Sequence, residues 1–176
     1  MPQDSTNFPP NKASFMAAVS GLVPAASATD IFTITGKPGR VITINQIQIS
    51  GIATSATAIP ISIIKRSTAN TGGTAAAVTA VPMDTGMPSV AGASVQSYTA
   101  NPTTGNAVGN VSTARLILST ASASVGSSPI VFSFERMYMR APSLRDATES
   151  LCVNYGGATA AGNSLDISIS WIEEQV

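Results

Sequence analysis

Along most of the chain apolar and polar residues alternate over short segments, and loops rich in Gly, Pro, Ser, Thr and Ala separate those segments. A period of two places every second side chain on one face of an extended strand, so each segment predicts a half-buried β-strand. Residues 14–20 form the first. In residues 30–35, Ile31, Thr33 and Thr35 oppose Phe32 and Ile34, and Gly36-Lys37-Pro38-Gly39 follows as a turn signal, which predicts a hairpin with residues 40–50. Within 40–50 the apolar set changes parity: Ile42 and Ile44 share one phase, Ile47 and Ile49 the other. A slip of one residue near Asn45-Gln46 predicts a β-bulge or a bend.

Residues 59–66 place Ile59, Ile61 and Ile63 on one face, with Pro60 pointing to an edge strand or a strand start. Residues 67–89 read as a long excursion holding at most one short strand, in the weak run 75–81. Further strands are expected at 92–99, 111–118, 129–135, 150–155 and 165–172, with 101–109 a turn-rich loop and 156–163 a hairpin loop. No stretch of ten residues keeps a 3.6-residue apolar repeat. The pattern therefore predicts an all-β protein, a two-sheet β-sandwich or jelly roll of about eight to ten strands. Residues 13–176 make one domain of the usual size. Residues 1–12, with Pro2, Pro9 and Pro10 among polar neighbours, read as an extended N-terminal arm, either a frayed terminus or a strap laid across a neighbouring subunit.

Composition changes the picture in two ways. Much of the 44% hydrophobic share is Ala and aromatics reach only 5%, so the core must rest on Ile and Val. Nine basic and nine acidic residues leave a formal charge of zero, and only 10% of residues are charged. A weakly charged exterior lacks the repulsion that keeps small domains apart, which predicts a homo-oligomer.

Candidate chemistry is scarce. The chain has no His, which removes Ser-His-Asp and Cys-His catalysis and the usual zinc ligand sets. Asp30, Asp84, Glu135, Asp146, Glu149, Asp166, Glu173 and Glu174 could in principle supply a carboxylate pair, but the spacing assigns most of them to solvated faces. No calcium loop or phosphate loop is present. The basic residues are scattered, which argues against direct nucleic-acid binding. Cys152, in Leu151-Cys152-Val153, reads as a buried small hydrophobe. The reading is of a protein that is not an enzyme, uses no cofactor or metal, and has no membrane partner. Met1-Pro2-Gln3-Asp4 lacks the basic and apolar regions of a signal peptide, so synthesis in a cytoplasm is expected.

One segment is dense in charge. Residues 135–149 hold Glu135, Arg136, Arg140, Arg145, Asp146 and Glu149 around Met137-Tyr138-Met139. Its charges could pair among themselves in a solvated loop; alternatively, since Arg, Tyr and Met are enriched at interface cores, Arg136, Tyr138, Arg140 and Arg145 are candidate protein contacts. Phe8, Pro9 and Pro10 of the arm join them. Trp171 shares the apolar parity of its strand, which assigns it to the core and not to a sugar platform.

Three passages carry a family resemblance. They are Thr29-Asp30-Ile31-Phe32-Thr33-Ile34-Thr35-Gly36; Lys65-Arg66-Ser67-Thr68-Ala69-Asn70-Thr71-Gly72-Gly73-Thr74 running to Val81-Pro82-Met83-Asp84; and residues 164–174, Ser164-Leu165-Asp166-Ile167-Ser168-Ile169-Ser170-Trp171-Ile172-Glu173-Glu174. In order and texture they resemble small structural proteins of tailed bacteriophages and prophages, most of all capsid decoration (cement) proteins. The resemblance implies a virion protein on the capsid surface, a homotrimer bound to the major capsid protein. The alternative it leaves open is a tail, fibre or head-tail connector component, with a receptor- or glycan-binding role.

Overall fold

Strands form where β-branched side chains alternate, and in the computed structural model they pair into two antiparallel sheets. The structure describes residues 12–25, 28–85, 90–120, 127–134, 140–156 and 162–176. In chain order the strands are β1 (Lys12–Leu22), β2 (Thr29–Thr35), β3 (Arg40–Ile52), β4 (Thr57–Arg66), β5 (Thr74–Ala77), β6 (Val81–Pro82), β7 (Ser94–Ala100), β8 (Ala107–Leu118), β9 (Ile130–Ser133), β10 (Ser143–Leu144), β11 (Ser150–Tyr155) and β12 (Ser164–Gln175). The first sheet runs β10-β3-β12-β1-β6, with β9 also on β3; the second runs β5-β7-β2-β11-β4-β8. The two-sheet, all-β reading of the sequence is thus the observed architecture, with twelve strands among the described residues where eight to ten were expected.

The core lies between the sheets. From the first come Phe15, Ile42, Ile44, Ile47, Ile49, Leu165, Ile167, Ile169 and Trp171; the second supplies Phe32, Ile34, Ile59, Ile61, Ile63, Leu116, Leu118, Leu151, Val153 and Tyr155. Each is buried, and each such Ile, Leu, Val or Phe contributes about 1.5–3 kcal/mol relative to exposure. Trp171 stacks on Phe15 with ring centroids 5.7 Å apart, on the strand parity that assigned it to the core. The slip in β3 is a bulge: Ser170 faces Gln46 and Trp171 faces Ile44, leaving Asn45 without an opposite residue. That extra residue lets Ile42 and Ile44 face the same core as Ile47 and Ile49.

Several expectations are corrected. Residues 30–35 and 40–50 are not a hairpin, because β2 pairs with β7 and β11 in one sheet while β3 pairs with β12 in the other. The turn signal is real, with Arg40 N–H donating to the Lys37 carbonyl at 3.3 Å, but the turn carries the chain between sheets. Gly36 is needed at this crossing, since a Cβ there would sit 2.5 Å from the Asp146 carbonyl oxygen. Likewise β11 and β12 lie in different sheets, so residues 156–163 connect the layers and do not close a hairpin.

Pro60 is neither at an edge nor at a strand start: β4 lies between β11 and β8, and Pro60 is inside it. It is tolerated because it occupies the last rung beside β11, where Gly156 N–H donates to the Pro60 carbonyl and no reciprocal N–H is needed. The excursion 67–89 holds two short strands, β5 and β6, one in each sheet, and β8 begins at Ala107, inside the expected loop. Lys12 already pairs with Glu174, so β1 starts one residue before the expected arm boundary; residues 1–11 lie outside the described residues.

Replacing Trp171 by Ala should lower unfolding stability by about 3–5 kcal/mol in a chemical denaturation series, whereas Thr113→Ala on the exposed side of β8 should change it by less than about 0.5 kcal/mol.

Candidate functional site

The densest cluster of polar side chains covers the outer face of the second sheet. Asp30 stands opposite Asn154 across the β2–β11 ladder, and Arg66 ends β4 opposite Ser150. Arg66 grips the Asp30 carboxylate with both arms of its fork: Nε donates to Oδ2 at 2.6 Å and Nη2 to Oδ1 at 2.8 Å. Asn70 donates to Oδ2 at 2.8 Å and Asn154 to Oδ1 at 2.9 Å. The remaining Arg66 nitrogen, Nη1, donates to the Gly105 carbonyl at 2.7 Å, and Gly105 N–H returns a bond to Asn70 Oδ1 at 2.9 Å.

This circuit fastens two loops, 67–73 and 101–106, to the sheet and to each other. Asn106 N–H donates to Thr68 Oγ1, and Thr71 and Thr103 exchange two backbone bonds. The loops meet so closely that a Cβ at Gly105 would overlap the Thr68 carbonyl. Asp30 is fully buried and Arg66 nearly so. Burial opposes ionisation of Asp30, but the hydrogen bonds from Arg66, Asn154 and Asn70 outweigh it and hold the carboxyl below its ordinary range. For Arg66 the bond to Asp30 outweighs burial and raises its affinity for its proton.

Cys152 lies on the same outer face as Ser150, with the Asp30–Arg66 pair among its neighbours. It is fully buried and unpaired, as its apolar flanks predicted. Burial first, then the Asp30 charge, pushes its thiol up to about 12, so no nucleophilic thiolate forms at neutral pH.

A second buried carboxylate, Glu173 on β12, anchors the segment that leads into β7. Its oxygens accept from Gly92 N–H at 2.8 Å, Ala93 N–H at 2.9 Å, Trp171 Nε1–H at 2.9 Å and Arg40 Nη1–H at 2.6 Å. Burial raises its pKa and these donors lower it, with a net depression. Asp30 and Glu173 therefore depart from the solvated role that the spacing assigned to most carboxylates. Each is saturated by donors of the fold, which leaves no lone pair directed at a substrate. Asn163 Oδ1 is the one buried side-chain oxygen without a partner among the described residues.

The contact residues chosen from sequence separate. Arg140 lines a groove of about 500 Å³ between β8 and β9, together with Lys65, Val111, Val131, Phe132 and Phe134. Lys65 enters the groove from β4, donating to the Ser143 carbonyl at 3.0 Å and pairing with Glu149 at 3.4 Å. Arg145 is exposed away from it, its backbone N–H held by Glu149 Oε2 at 2.7 Å. Phe8, Pro9, Pro10, Arg136 and Tyr138 lie outside the described residues. Lys65 and the valines were missed because nothing in their local spacing marks them; only the approach of two sheet edges brings them together. Among the described residues no group of three or more His, Cys, Asp or Glu could hold a metal ion, and no helix is long and apolar enough to cross a membrane.

Three measurements follow from this geometry. Depressed carboxylate pKa values add stability that is present above the ordinary carboxylate pKa, about pH 4, and is lost as pH falls through the lower folded-state values. Acid titration followed by circular dichroism should show unfolding below about pH 4, and Asp30→Ala, which strands a buried Arg66, should cost about 3–5 kcal/mol at pH 7. A thiol reagent at pH 8 should label Cys152 only after denaturant is added. No protein-family model, curated protein or solved structure matches this chain.

Proposed function

We propose that the protein is a non-enzymatic structural component of a tailed-phage virion, which decorates the capsid and stabilises it by binding the major capsid protein shell as a homo-oligomer, a trimer. The observation that carries this reading is the use made of the buried charges: Asp30, Arg66 and Glu173 all serve to fasten loops onto sheets. Polar groups fully engaged in the fold stiffen a scaffold and leave docking as the work of the outside.

The three passages that resemble decoration proteins fall on this framework. The first is β2 with Asp30, the second the end of β4 and the fastened loop with Arg66 and Asn70, and the third β12 with Glu173. The orders β9-β3-β12-β1 in one sheet and β2-β11-β4-β8 in the other fit the jelly-roll form used by viral capsid domains. In this reading the groove between β8 and β9 takes a segment of the shell protein, with apolar walls from Val111, Val131 and Phe132 and positive charge from Arg140. A tail or fibre role with glycan binding would call for exposed aromatic platforms, whereas Trp171, Tyr98 and Tyr155 are buried.

Mixing the purified protein with undecorated shells and pelleting the particles tests the proposal. Saturable, stoichiometric co-sedimentation is expected, and its absence with shells of the source phage would overturn it. Arg140→Glu should weaken that binding at least tenfold without altering the circular dichroism spectrum. Deleting residues 1–11 should reduce retention on the particle while leaving the thermal transition in place; unchanged occupancy would remove the arm from the contact.

A further inference from the structure

The two sheets are treated differently on their outer faces. Over the second sheet the chain lays its own loops, so that Thr33, Arg66, Tyr98, Ser150 and Cys152 are buried although they point away from the core. On the first sheet no described segment covers the corresponding face. Two rows cross four of its strands there in register: Met16, Ser170, Gln46 and Ser133, then Ala18, Ser168, Gln48 and Val131. Met16 is 39% and Val131 48% exposed. Ser20, Asp166 and Ser50 extend the surface, which carries a shallow depression of about 280 Å³ lined by Ala18, Gln48 and Ser168.

We infer that the part of this uncovered face formed by β1, β12 and β3 is where copies of this chain associate with one another, an inference that rests on the homo-oligomeric reading above and names its surface. Charge selects the occupant. Among the described residues Asp166 is the one ionisable side chain inside the borders of this face, and it is engaged internally, accepting from Ser20 Oγ at 2.5 Å and Gly21 N–H at 3.0 Å. The next charges, Lys12 and Glu174, pair with each other at 3.4 Å at its border. A basic or acidic partner finds nothing to complement here, whereas an identical copy meets no unpaired like charge, the condition for self-association.

The area is sufficient. Three strands about 4.8 Å apart and roughly eleven residues at about 3.3 Å each present on the order of 500 Å² per copy. Counted on both copies that is roughly 1,000 Å², the lower size of a specific interface. Five of the eight side chains in the two rows are Ser, Ala or Val, which keeps the surface level and leaves only Met16, Gln46 and Gln48 to be ordered at entropic cost when another copy approaches.

Sedimentation velocity of the full chain provides the test. The wild type should sediment as an oligomer at micromolar concentration, and Ser168→Arg, in the centre of the face, should shift it to a monomer with an unchanged circular dichroism spectrum. Ala18→Arg, on the neighbouring strand, serves as a second variant in case the first fails to fold, and Thr113→Arg on the second sheet should leave the oligomer intact. A monomeric wild type, or an oligomer that survives a folded Ser168→Arg or Ala18→Arg, overturns the inference. A wild-type monomer that still co-sediments with shells would remove this face while leaving the docking reading in place; an oligomer that never binds shells would do the reverse.

Discussion

The bidentate pair between Asp30 and Arg66 is the contact on which most of the architecture turns. It joins β2 to β4 across β11, and through Asn70 and Gly105 it determines where both covering loops lie. A buried pair of this kind is a poor source of net stability, because desolvation of two ions cancels much of their attraction. Its value here is specificity: a loop that must satisfy a guanidinium and a carboxylate together has few other places to go. The Glu173 cluster repeats the device on the other sheet, using backbone N–H groups of residues 92 and 93 in place of asparagines.

These two clusters divide the molecule into a shielded side and an open side. The excursion between β4 and β8, together with the 101–106 loop, covers the second sheet, where Cys152 and Thr33 are sealed from solvent. The first sheet faces outward with serines, glutamines and alanines. A chain with so few charged residues cannot keep both faces soluble by repulsion, and covering one with its own loops is one solution. The other face is the one to which the proposed self-association is assigned, and the groove between β8 and β9 lies at the seam where the two sheet edges approach.

Local pattern carried a large part of the fold. Alternation of Ile59, Ile61 and Ile63, of Leu165, Ile167, Ile169 and Trp171, and the parity slip at Asn45 were all legible, because a half-buried strand must repeat every two residues and a bulge must break that repeat by one. Connectivity was not. Gly36-Lys37-Pro38-Gly39 signals a reversal equally well whether the next strand pairs beside the last or crosses to the opposite layer, and the difference lies in β7 and β11, which occupy both edges of β2. Pro60 misled for a similar reason: its missing N–H matters only if a partner carbonyl awaits it, and the end of β11 removes that demand.

The order of residues alone determined the class of protein: extended segments, an Ile-rich interior, and a chain without histidine that is poor in reactive side chains. Which carboxylates are buried was a matter for three dimensions, since Asp30 meets Arg66 from 36 positions away and Glu173 meets Gly92 from 81. A charged residue at a strand end looks the same in one dimension whether water or a guanidinium faces it. Period reports which side of a strand is apolar, but only the packing of distant segments against that strand assigns the polar side to solvent, to a neighbouring loop, or to another molecule.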